Sequence, residues 1–258
     1  MNIRKNWDEK ETLIALALFY AVPFGQITSG NPLLQKVANN LGRTPAALVM
    51  KMCNLAHFDK ELHDRNVSGL SHGSKMDKRV WDKFGQDYTL LAKIYNELCG
   101  NSDYAETKFH IKETLGIENS GYDTERIAKE RVGQNFFRTA VLSAYDYRCC
   151  ITGINVPEFL IASHIKPWAE SENYTEKINP RNGLCLNAFH DKAFDQGFIT
   201  IDKYFRIIVS NVLKENSRID ETTKEWLIDL DGQKINMPDK CQPEIKFLEY
   251  HNDVIFKR

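Results

Sequence analysis

No apolar run in these 258 residues reaches the length of a membrane span. The opening stretch MNIRKNWDEK lacks the apolar core of a signal peptide. A membrane protein or an exported one is therefore not expected, and a cytoplasmic protein is. Cysteine is sparse, with six in all (Cys53, Cys99, Cys149, Cys150, Cys185 and Cys241), and none has a partner at CxxC spacing. A disulfide framework and a four-cysteine structural zinc are both disfavoured by that usage. Internal repeats and low-complexity tracts are missing too. An excess of one charge is absent: 34 basic side chains meet 35 acidic ones, a net of −1.

That near-neutral total hides an uneven distribution. Residues 1–100 carry 13 basic and 10 acidic side chains, residues 101–125 carry 2 and 6, residues 126–215 carry 12 and 10, and residues 216–258 carry 7 and 9. Two mildly basic blocks are thus separated and followed by acidic ones, which suits salt-sensitive polyanion binding of modest strength. The chain is long enough for two domains. It divides into a helical part over 1–100, an acidic linker over 101–125, a core over 126–215 and a tail over 216–258 that packs on the core.

In the first part, Asp8 can cap a helix bearing Leu13, Ile14, Leu16, Ala17 and Tyr20. Asn31-Pro32 and Thr44-Pro45 each start a further helix by a cap followed by proline, and Gly42 stops the one between. Three short helices with Trp7 at the start and LGRTPAALVMK at the end look like a Myb-like or helix-turn-helix DNA reader, whose last helix enters the major groove. Arg43 and Lys51 are then the first candidates for DNA contact. Small three-helix units also serve as interaction domains, so that alternative stands beside it. Downstream, Lys75, Lys78 and Arg79 lie beside Trp81, suited to backbone contact or to a solvated helix face. Residues 82–98 read as one more helix. A helix from Arg126 presents Arg131 and Arg138 as phosphate clamps or as surface ion-pair partners. The tail reads as a short hairpin over LDGQKINMPDK and a closing helix, with His251 structural.

The run from Cys150 to Ile201 carries the chemistry. Val156, Phe159, Leu160, Ile161 and Ile165 give the segment around His164 a buried β character, and Pro167 ends the ladder just beyond it. Gly183 opens a second apolar run, Leu184-Cys185-Leu186. Asn187 can cap a helix from Ala188 that holds His190 in its first turn. FITI and YFRIIV then read as a strand pair. Strand, loop, strand and helix follow in order, with His164 and His190 able to face one another. His164 is a base candidate, Asn182 can pin a loop, and His190 is a metal-ligand candidate.

This pattern resembles the HNH endonucleases, on ASHIKPW, NGLCL and FHDKAFD, with Tyr147 to Gly153 preceding as in the bacterial restriction-type branch. The resemblance covers roughly residues 126 to 212. It implies an α+β fold with a ββα-metal core, flanking helices and a β-hairpin behind the helical N-terminal domain. It makes His164 the general base, Asn182 the residue that orients it, and His190 the holder of one divalent cation, with Mg²⁺ or Mn²⁺ favoured. The position before the base, acidic in many members, is Ser163 here. Serine is a poor ligand, so beyond His190 the shell is open: Ser163 and Asp191 are its candidates, with Asp195, a backbone carbonyl or water as other sources of oxygen.

The function implied is cleavage of double-stranded DNA in restriction or defence, by a homodimer, with any methyltransferase a separate protein. A nuclease restricted to modified DNA, or an inactive DNA-binding regulator with Ser163 as its mark, are the alternatives.

Overall fold

Capping chemistry sets the helix starts in the N-terminal half. In the computed structural model, which describes residues 6–64, 73–100 and 121–258, Asp8 and Glu11 form a reciprocal capping box. It opens α1 (Glu9–Ala21), ten of whose residues are buried, so this helix is the centre of its unit and not a one-sided surface helix. Asn31 caps α2 (Pro32–Asn40) and Thr44 caps α3 (Pro45–Ala56), each with proline in the first turn. Gly42, at φ +64°, makes the left-handed turn between them. A short α4 (Lys60–Asp64) precedes α5 (Lys75–Phe84) and α6 (Tyr88–Gly100). α3, α5 and α6 all pack on α1.

The single helix expected over 82–98 is two helices. Tyr20 Oη donates to the Gly85 carbonyl at 2.6 Å, and Asp87 Oδ1 accepts from Leu90 N at 3.0 Å. The Gly85 carbonyl is thereby taken by a distant side chain, and a new helix is capped two residues on. A Cβ at Gly85 would also press on the Trp81 carbonyl.

The chain divides into two compact units, Met1–Thr139 and Ala140–Arg258. Helix α7 (Gly121–Ala144) crosses from one to the other. Residues 101–120, most of the expected linker, lie outside the described residues.

In the second unit β1 (Leu160–His164) pairs antiparallel with β2 (Gly183–Asn187), His164 opposite Gly183 and Leu160 opposite Asn187. α8 (Ala188–Asp195) follows directly, capped by Asn187, and packs on both strands. This is a ββα unit. β3 (Ile199–Ile201) and β4 (Ile207–Val209) form the second hairpin. The fold is α+β, helix-rich with two small antiparallel sheets.

The tail differs from its expected form. Instead of making a hairpin of its own, segment 232–235 runs beside β4: Ile207 N donates to the Gln233 carbonyl, and Arg206 bridges Lys234. The apolar edge of β4 is the better partner because it already carries one hairpin. The closing helices are α9 (Glu221–Trp226) and α10 (Ile245–Tyr250), the latter continued by a π turn over His251–Ile255. His251 is buried, stacked on Phe194 with ring centres 3.7 Å apart and hydrogen-bonded to Thr200 and to the Phe194 carbonyl. Burial pushes its imidazole down to about 4, so it is a neutral core residue.

Candidate active site

β1 ends at His164, whose half-buried ring stands edge-on to Trp168. Its Nε2 lies 2.8 Å from the Lys177 carbonyl. A carbonyl can only accept, so Nε2 carries the proton and Nδ1 is the basic nitrogen. Burial lowers the imidazole below its usual range, and the Lys177 carbonyl partly opposes that by holding the Nε2 proton. The neutral, base-competent form is therefore favoured near neutral pH.

Asn182 is fully buried at the far end of the loop that follows. Its Oδ1 accepts from Lys166 N at 2.8 Å, and its Nδ2 donates to the Lys166 carbonyl at 3.0 Å. Its own carbonyl accepts from Ile165 N at 3.0 Å. Three bonds thus clamp the two residues just after His164. They replace the ladder that the approach of Pro167 ends.

A second tie acts from the other side. Lys166 Nζ pairs with Glu176 at 3.1 Å and Glu172 at 3.5 Å, and Glu176 Oε2 also accepts from Glu172 N at 2.7 Å. Glu176 belongs to the single turn Tyr174–Lys177 that delivers the Lys177 carbonyl to His164. Despite partial burial its carboxyl is held below the usual range by those donors. Neither Lys166 nor Glu176 stood out in the sequence, because their partners sit in a loop of no regular period.

His190 is fully buried with both ring nitrogens engaged. Nε2 lies 2.8 Å from the Trp226 carbonyl and must donate to it, so Nδ1 accepts from Asn187 Nδ2 at 2.9 Å. The ring lies parallel to the Trp226 indole, 5.9 Å between centres. The Asn187 amide also reaches Thr152 Oγ1 at 3.1 Å and Cys149 Sγ at 3.7 Å. One amide therefore joins the start of α8 to the turn at 149–152. Burial raises the Cys149 thiol, but hydrogen bonds involving His190 and Thr152 together outweigh it and bring it to about 7.

α8 also presents two carboxylates, the first directly after His190 and the second a turn beyond. Asp191 and Asp195, four residues apart, share a face. Burial raises Asp191 above the usual carboxylate range, with Ser163 and Lys192 pulling the other way. Burial and then the Asp191 charge raise Asp195, opposed by Lys192. Ser163 Oγ is buried and makes no well-formed hydrogen bond, although it is near enough to Asp191 to act on its titration. No three His, Cys, Asp or Glu side chains converge as a metal cage among the described residues. Two mutually repelling carboxylates beside the Ser163 hydroxyl are a donor set of the kind a largely hydrated divalent cation takes, which needs only one or two protein carboxylates. All three residues are oxygen-donor candidates from the sequence, and packing adds that the Asp191 charge reaches Asp195.

In the first unit the two leading DNA-contact candidates turn inward. Arg43 bonds Glu11 at 2.6 Å, reaches the Asn6 carbonyl at 2.7 Å and lies 4.0 Å from the Trp7 ring centre. Lys51 is buried against Asp77 at 2.5 Å. Both cations are committed to pairs that hold α1, α3 and α5 together, so the expectation that they meet phosphates gives way to a structural role. Lys75, Lys78 and Arg79 are exposed on α5, and Arg131 and Arg138 are exposed on α7.

Among the described residues no helix is long and apolar enough to cross a membrane. No curated protein matches the chain. Residues 149–202 match the HNH endonuclease family, whose members generally use a divalent metal and act on DNA. The match spans the turn that Asn187 grips, both strands of the ββα unit, the Asn182 clamp and the whole of α8, and so the second unit of this chain carries an HNH endonuclease domain.

Proposed function

We propose that the protein is a metal-dependent DNA endonuclease of restriction or defence type, with His164 as its general base. The observation that carries this reading is the bond from His164 Nε2 to the Lys177 carbonyl, which leaves Nδ1 to take a proton from the attacking water. Attack at phosphorus with departure of the 3′ oxygen yields a 5′ phosphate and a 3′ hydroxyl. Asn182 and Glu176 position His164 through Lys166 and the Lys177 carbonyl. A divalent cation, when bound, neutralises the phosphate and the developing charge on the leaving oxygen. Asp191 and Asp195 would hold it beside Ser163, the chain neighbour of His164. Coordination by His190 would require its ring to give up the Trp226 carbonyl or the Asn187 amide, so His190 is the post that anchors α8. One such site cuts one strand, and a double-strand break takes two copies.

The test is nicking of matched plasmids, unmodified and base-modified, with Mg²⁺ or Mn²⁺ against EDTA. Discrete metal-dependent products are expected, and the substrate that is cut separates ordinary from modification-dependent restriction. Asp191→Asn and Asp195→Asn should each weaken Mn²⁺ binding about tenfold or more, measured calorimetrically on DNA-free protein. His190→Gln weakening it as much would return the cation to His190. Intact DNA under every condition would move the protein to the class of DNA-binding regulators.

Glu176→Gln is expected to lower kcat by roughly tenfold while DNA affinity stays unchanged, because it loosens the turn that orients His164. A variant that loses thermal stability but keeps wild-type kcat would confine Glu176 to a structural part.

A further inference from the structure

We infer that α5, and not α3, is the helix of the first unit that lies against duplex DNA; this deepens the endonuclease reading and rests on it for the identity of the partner. In a three-helix reader the last helix would be the one to enter the groove, yet the cations at α3 are not available to a ligand. Lys51 and Asp77 are both almost wholly buried, as are Arg43 and Glu11. Taking either cation to a phosphate would strand a carboxylate in the interior. The surface of α5 is of the opposite kind. Lys75, Lys78, Arg79 and Lys83 are exposed on it, while Asp77 and Val80 form its buried side. Together with Asp82 these four cations line a shallow groove of about 480 Å³ that has no apolar side chain in its lining. Four cations against one carboxylate suit a polyanion.

The acidic groups on this face do not close it. Lys78 pairs with Asp82, but the two side chains are 63% and 57% exposed. Arg79 pairs with Glu9, at 60% and 43%. Pairs this open contribute little and exchange readily for a phosphate. From Lys75 to Lys83 the helix advances about 12 Å, enough to run beside about three phosphates of one strand. The contact is to the backbone, and it confers affinity and orientation in place of base choice.

The test compares two triple variants of the full chain in EDTA, so that DNA is bound and not cut. One is Lys75→Gln/Lys78→Gln/Lys83→Gln on α5. The other is Lys36→Gln/Lys60→Gln/Lys93→Gln, exposed positions on α2, α4 and α6. Affinity for a duplex is read by fluorescence anisotropy from 50 to 200 mM salt, with thermal unfolding as the check on folding. The α5 variant should bind at least tenfold more weakly and lose about two to three units of slope in log K against log salt, with the other triple near wild type. Equal losses in the two variants, unchanged affinity in the α5 variant, or tighter binding to double-stranded RNA than to DNA would each overturn the inference. A wild-type protein that cuts plasmid while the α5 variant binds normally would sink this surface and leave the endonuclease reading standing. Binding that depends on α5 in a protein that cuts nothing would do the reverse.

Discussion

His164→Ala is expected to reduce DNA cleavage by about 10²- to 10⁴-fold while leaving DNA binding within about twofold of wild type. A base that takes a proton only as the water attacks contributes to the transition state and not to the ground state. The proposed role falls on one atom. Because the Lys177 carbonyl holds the Nε2 proton, Nδ1 is the nitrogen that accepts. An isostere that keeps the hydrogen bond but cannot ionise, His164→Gln, should be as inactive as alanine. The pH dependence follows from the same surroundings. Burial depresses the imidazole below its ordinary value near 6.5, so the protonated, inactive form accumulates only at lower pH. Activity should therefore be level through neutrality and fall on acidification along a limb whose midpoint lies below 6.5. A limb centred above 7, or one that survives in His164→Gln, would point to a different group. Parallel loss of binding and cutting would contradict the assignment altogether.

Lys51→Ala is expected to destabilise the first unit by about 3–5 kcal/mol, a large share of the roughly 5–15 kcal/mol that holds a typical domain folded. Lys51 meets Asp77 at 2.5 Å with both side chains nearly inaccessible to water. Removing the ammonium strands a buried carboxylate. The damage spreads because the other oxygen of Asp77 accepts from Ser74 N at 2.9 Å and closes the capping box of α5. Loss of the pair thus loosens α3 and the start of α5 together. A fall in the first unfolding transition of roughly 10 °C or more is the result to look for by calorimetry. Unchanged melting with weakened DNA binding would instead return Lys51 to the role of a DNA contact.

The two variants also mark what could be read from residue order. His164 and Asn182 are separated by 18 positions, yet each has local signs. Pro167 ends a strand just past the first, and the second precedes the glycine that opens the next strand. The caps at Asp8, Asn31, Thr44 and Asn187 are legible for the same reason, since a cap bonds a backbone group two or three residues away. Asp195 is legible beside Asp191 as a further oxygen donor.

The positions that spacing leaves undecided are those whose partner is remote. Gly85 breaks a helix because Tyr20, 65 residues earlier, takes its carbonyl. Arg43 is drawn inward by Glu11 and Lys51 by Asp77, at separations of 32 and 26 residues. His190 is covered by Trp226, 36 residues later. Strand period, helix caps and the order of the ββα elements follow from interactions within a few residues, which spacing encodes directly. Which cation is buried and which nitrogen holds a proton depend on groups that meet only when the chain has packed. Burial then changes the energy of a charge more than any neighbour in sequence can.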